Sequence, residues 1–159
     1  MRTHWVAALA VVAMGLYGCD SGRSERTIRD RETGESVTVR TGPAMAAPRN
    51  LPAFAPIYPG AVILSSMDGI SGSDSGGSVQ TGGMVSFSTR DDPERVAGFY
   101  RARLDASDLT ERSDANVNGA VILSGTAAED VGDGVQISIA PSGEGEGSVV
   151  TLIYSRRNG

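Results

Sequence analysis

Helical spacing occurs convincingly in one stretch of this chain, residues 91–106, where Val96, Phe99, Tyr100 and Leu104 form an apolar stripe. The stretch also carries the marks of a helix start. Asp92 can cap it, Pro93 fits its first turn, and Glu94 sits near the positive end of the helix dipole. Gly98 interrupts it at a cost of about 1 kcal/mol against alanine, and such a small residue is often kept for close packing. Elsewhere downstream of Pro56 the apolar runs are short, and several alternate with polar residues. A chain with one helix and many short strands buries its apolar surface most simply as a sheet with the helix laid on one face.

The expected strands are residues 61–65 and 84–89 before the helix, then 109–113, 120–126, 135–139 and 149–154 after it. Residues 135–139 alternate most cleanly, with Val135, Ile137 and Ile139 against Gln136 and Ser138. Asn118-Gly119, Asp133-Gly134 and the Gly/Glu run at 143–147 supply turn chemistry between them. Residues 69–83, rich in Gly and Ser, read as a mobile loop. The expected fold class is therefore α+β: an antiparallel sheet of about five to six strands with one helix packed on one face, preceded by a proline-rich linker. A single domain is expected over residues 56–157.

Two upstream segments leave alternatives open. Gly34 divides residues 27–40 into two alternating runs, which suggests a small hairpin. A lone hairpin is marginal in water, so it either docks on the domain or stays loose. Residues 41–59 hold five of the seven prolines and are expected to be extended. At about 3.1 Å per residue such a segment reaches on the order of 60 Å, enough for a spacer. The alternative is a strap on the domain surface, held by Leu51, Phe54, Ile57 and Tyr58.

The N-terminus carries Arg2 ahead of an apolar run of thirteen residues, 5–17, and the chain turns polar after Cys19. That is a secretory signal in outline. It is shorter than the roughly 20 residues a membrane-spanning helix needs. Leu16-Tyr17-Gly18-Cys19 resembles the lipobox of bacterial lipoproteins, with Tyr17 larger than the usual residue at its position. The resemblance implies removal of residues 1–18, a lipid on the Cys19 thiol and acyl chains such as palmitate anchoring the protein in the cell envelope. Residues 19–55 then form a lipidated tether. Cys19 is the only cysteine, so no intrachain disulfide exists. Two or three acyl chains, at about 0.8 kcal/mol per buried methylene, anchor stably where one is marginal. Asp20 implies inner-membrane retention under the enterobacterial sorting rule. Further on, Tyr58-Pro59-Gly60-Ala61, a strand, Asp92-Pro93-Glu94-Arg95-Val96, Phe99-Tyr100 and Leu104 resemble a pattern in small exported bacterial domains of unknown function.

The chemistry is marked by absences. Beyond residue 18 there is no histidine and no lysine, and the one cysteine is the lipidation candidate. Ser-His and Cys-His catalysis, Schiff bases, and imidazole or thiolate metal sites all drop out. Residues 51–159 hold seven Arg against fourteen acids, a net charge of −7, which gives no footprint for nucleic acid. Residues 20–50 hold six Arg against five acids. Carboxylates are spread over every loop, so none is singled out as a catalytic pair. Glu129-Asp130-Val131-Gly132-Asp133-Gly134 is a conceivable weak calcium turn, with a solvated acidic turn as its plain reading. Tyr100 reads as core, and Arg95, Arg101 and Arg103 as a solvated helix face. No catalytic residue, cofactor or metal is expected. The expected role is a non-catalytic envelope lipoprotein, facing the periplasm or exterior, that presents its domain to an envelope protein partner. A small-ligand-binding lipoprotein is the alternative, and a carboxylate-based cell-wall hydrolase ranks third.

Overall fold

The computed structural model describes residues 22, 24–29, 35–42, 45–71, 79–127, 132–143 and 145–158. They form one antiparallel sheet of eight strands and one helix. The strands are β1 (Ser24–Arg29), β2 (Ser36–Thr41), β3 (Val62–Ser71), β4 (Val79–Thr89), β5 (Glu111–Val117), β6 (Ala120–Thr126), β7 (Gly134–Pro141) and β8 (Ser148–Asn158); helix α1 is Pro93–Asp105. Their order across the sheet is β1-β2-β3-β4-β8-β7-β6-β5. The molecule is thus mostly β, and the expected α+β sheet of five to six strands is corrected to eight.

The extra strands have physical causes. The upstream hairpin docks: β2 pairs with β3 from Ser36↔Ile70 to Thr41↔Ser65, and β1 pairs with β2. Two strands that are marginal alone become stable as the end of a larger sheet. The Gly- and Ser-rich stretch expected as a loop contributes Gly69 to β3 and Gly82 and Gly83 to β4, where they pair with each other's strands. Glycine is poor in strands, but Gly83 is required here. A Cβ there would lie 2.5 Å from the Met67 carbonyl and 2.6 Å from the Tyr154 hydroxyl. At the β5–β6 turn, Asn118 (φ 53°) and Gly119 (φ 83°) both adopt the left-handed conformation that a two-residue hairpin loop needs.

The helix starts as its sequence suggests. The Asp92 carboxylate accepts from the Arg95 amide at 2.9 Å. Its buried side chains are Val96, Ala97, Tyr100 and Leu104, and it packs on β6 and β7. Gly98 faces open space, with nothing within 4 Å of where a Cβ would stand, so it is not there for packing.

Register makes the inner face continuous. Ile63, Phe87, Val150, Ile139 and Val121 line up across β3, β4, β8, β7 and β6, and Val85, Leu152, Ile137 and Leu123 form the next row. All of these are buried. The helix covers one part of this face. The proline-rich segment completes the cover: Met45, Leu51, Phe54 and Ile57 pack against the core, with Ala55 and Tyr58 buried. Of the two readings left open, the strap is the one adopted.

Candidate functional site

The strap and the helix meet in an aromatic seam. Tyr58, Phe99 and Tyr100 stack edge to face, with centroids 5.1 Å and 5.0 Å apart. Tyr100, fully buried, donates its hydroxyl hydrogen to the Pro56 carbonyl at 2.8 Å. Tyr58 donates to Asp91 at 2.6 Å, and Arg95 pairs with the same carboxylate at 3.4 Å. Burial raises the Tyr100 phenol and the Asp91 hydrogen bond raises that of Tyr58, so both are committed donors. Tyr100 is core, as its spacing suggests.

A second polar cluster lies where the strap crosses β1, β2 and β3. Arg40 bonds to Asp68 and pairs with Glu25 at 3.2 Å. Tyr154 reaches the other Asp68 oxygen at 3.3 Å. Burial, and then the nearby Asp68 charge, push the Tyr154 phenol up to about 12. Glu25, Arg40 and Asp68 border a cleft of about 500 Å³ closed on its other side by residues 45–50. The Arg40 guanidinium lies between the two carboxylates, in the place where a glycosidase leaves room for sugar and water. The cluster is a clamp between strands and not an acid–base pair. No sequence signal announces it, because only pairing across β1, β2, β3, β4 and β8 brings residues 25, 40, 68 and 154 together.

A third feature is a cleft of about 690 Å³ between strap and helix end, lined by Ala53, Phe54, Arg103, Leu109, Ala127 and Asp133 among others. Its wall mixes apolar side chains with charged and hydroxyl ones.

Neither sheet edge carries a further strand among the described residues. β1 and β5 end the strand order, and every residue of both is exposed. β5 is steadied from the helix side. Arg101 bonds to Asp114 at 2.7 Å and to Glu94 at 2.6 Å, and Arg112 pairs with Asp105 at 2.9 Å. The Arg101 hydrogen bond holds the Asp114 carboxyl below its ordinary range. Arg103 lies 5.2 Å over the Phe99 ring. The three helix arginines thus bond within the domain.

The outer face of the sheet has no cover among the described residues. Ile28 (59 % exposed), Val62 (54 %), Leu64 (45 %) and Ile153 (48 %) lie on it, with Val37 and Met67 beside them and Val117 (50 %) apart on β5.

Several expectations fall outside the described residues. Cys19 and the lipobox residues lie there, as do residues 72–78 of the glycine-rich stretch and 128–131 of the acidic turn. No helix among the described residues is long and apolar enough to cross a membrane, which says nothing of crossing by strands. No group of metal-ligating side chains is found among them either.

A family model described as START domain-like matches residues 63–147, from β3 to the turn before β8, and the chain belongs to that family, whose function is unknown. No curated protein and no solved structure matches the chain.

Proposed function

We propose that this START domain-like chain is a non-catalytic, membrane-anchored envelope lipoprotein that binds a protein partner through its β5 edge. The anchor is a lipid on Cys19 after removal of residues 1–18, supported by the lipobox-like Leu16-Tyr17-Gly18-Cys19. The observation that carries the binding role is β5 itself: an edge strand of seven residues, all exposed, at the far end of an eight-stranded sheet. One side of such a strand offers a row of unpaired backbone groups to an added strand. Its charged residues, Glu111, Arg112 and Asp114, guard it against indiscriminate pairing. The salt bridges from α1 hold it ready in extended form.

In-cell crosslinking followed by mass spectrometry tests this reading. A reproducible partner is expected for the native chain and is lost with Cys19→Ala. Proline at Ala115 and at Asn116 addresses the edge. Adjacent strand residues alternate in the direction of their N–H, so one of the two substitutions spares the β5–β6 ladder and keeps the native Tm. That variant should lose the partner; retention of the partner would sink the β5 assignment.

A second reading has one observation behind it. The cleft of about 690 Å³ by Phe54, Leu109 and Ala127 is large enough for a small ligand. Ala53→Trp, at an exposed position of the cleft wall, separates the two: it abolishes ligand binding and leaves crosslinking at β5 intact.

A further inference from the structure

Four residues, 20–23, separate Cys19 from Ser24, where β1 begins. Fully extended, the chain from Cys19 to Ser24 spans at most about 18 Å. β1 is not part of a spacer, since it is the end strand of the domain's own sheet. The proline-rich segment adds no reach, because it follows β2 and folds back on the core. A lipid on Cys19 therefore holds the β1 edge close to the bilayer. This inference rests on the anchor proposed above.

Register fixes what the outer face presents there. One row runs Arg26, Val39, Met67, Met84, Ile153 across β1, β2, β3, β4 and β8, then continues Gln136, Ser124, Ser113 across β7, β6 and β5. Between Val39 and Ile153 this row is apolar, with Arg26 at its anchor end, and from Gln136 to Ser113 it is polar; on the far side Val117 is the one large apolar side chain exposed. Ile28 and Val37 lie beside it, and Val62 and Leu64 add exposed apolar surface on β3. An exposed apolar area of this kind marks a contact surface.

Charge is distributed to match. Residues 51–159 carry fourteen acids, which anionic headgroups would repel. Across the described strands the outward register positions include one carboxylate, Glu111, on the edge strand farthest from β1. Asp68 and Glu25, on the near strands, share the inner face with Arg40. Arg26 stands on the outer face beside Val39, where a long cationic side chain can lie along apolar surface and reach a phosphate. A twisting sheet turns roughly 20–25° per strand, so a flat membrane meets one half of the face and not both.

We propose that the outer face of β1, β2, β3, β4 and β8 rests on the bilayer that holds Cys19, seating Met67 and Ile153 at the acyl–headgroup boundary. The β7–β6–β5 half, with its row of Gln136, Ser124 and Ser113, and the β5 edge are then turned away from the membrane, open to a partner.

The test uses the full chain, matured in cells and reconstituted into phosphatidylethanolamine–phosphatidylglycerol vesicles. Mass spectrometry first reads the acyl chains on Cys19. Acylation caps that thiol, so single variants Met67→Cys, Ile153→Cys, Ser113→Cys and Ser124→Cys each offer one site for a polarity-sensitive fluorophore. The proposal expects a blue shift at 67 and 153 and quenching there by doxyl-labelled lipid, with water-like, unquenched emission at 113 and 124. Acylated protein with water-like emission at all four sites overturns the membrane seat and leaves the anchor standing. A blue shift at 67 and 153 without lipid quenching, together with copy-to-copy crosslinks, assigns the face to a second copy and overturns it too. A mature chain lacking acyl groups overturns the anchor itself, and the seat with it.

Discussion

The inner face of the sheet has two covers, and they hold by different means. Over β6 and β7 lies α1, whose buried stripe of Val96, Ala97, Tyr100 and Leu104 repeats with the helix period. Toward β1, β2 and β3 lies the strap, which has no regular backbone pairing and holds by separate apolar contacts and a few hydrogen bonds. A helix satisfies its own backbone and spends its side chains on packing. An extended strap must find partners for its carbonyls one at a time, as Pro56 does on Tyr100. The strap half is therefore the half that single substitutions should loosen selectively.

Tyr100 joins the two covers, so replacing it gives the largest effect. Tyr100→Ala should cost about 3–5 kcal/mol in chemical denaturation, because it empties a fully buried aromatic site under both covers. Tyr100→Phe keeps the ring and leaves the Pro56 carbonyl without its donor, which should cost about 1–3 kcal/mol. The two variants are expected to differ in kind. The first should lower protection everywhere, while the second should speed limited proteolysis of residues 45–56 before the helix is touched. Equal protection of strap and helix in Tyr100→Phe would erase the distinction between the covers.

The same difference explains what was legible in the sequence. The helix could be read because its period, its Asp92 cap and its Pro93 are local signals. The β7 strand could be read from its alternation and β6 from its apolar run after the Asn118-Gly119 turn, and these signals are local too. The strap was visible only as a pair of alternatives, since proline fixes φ without saying where the chain lies. β1 and β2 were underweighted because the short alternating runs on either side of Gly34 gain their stability from β3, a neighbour far along the chain. The glycines of β3 and β4 hid strands whose backbones approach each other and Tyr154 closely. Of the candidate sites, the apolar outer row emerged only from register. Met67, Met84 and Ile153 come from three separate strands, and no spacing within the chain links them.

Gly98 sharpens the contrast from the helix side. Its Cβ position is empty, so Gly98→Ala should stabilise the protein by up to about 1 kcal/mol, through helix propensity alone. The gain should appear as a higher Tm and slower exchange of helix amides, with strap proteolysis unchanged. A destabilised Gly98→Ala would mean that a neighbour occupies that space in solution.

The smallest effect lies in pH, and it separates the halves by direction. The helix half is clasped to β5 by Arg101 and Asp114, and the Arg101 hydrogen bond lowers the Asp114 folded-state pKa. A carboxyl lowered on folding adds stability above its unfolded pKa, near about 4, and loses it as pH falls through the folded value. Asp114 is exposed, so the contribution is slight and salt should screen it. The opposite half holds Tyr154, whose phenol is pushed up to about 12 by burial and by Asp68. A group raised on folding adds stability below its unfolded pKa, near about 10, and loses it as pH rises through the folded value. Acid should therefore relax the β5 clasp first and alkali the strap side first. Asp114→Asn should remove part of the acid slope in Tm while leaving the alkaline slope alone, and Tyr154→Phe should do the reverse. A single substitution that flattened both slopes would show that the two halves open as one unit.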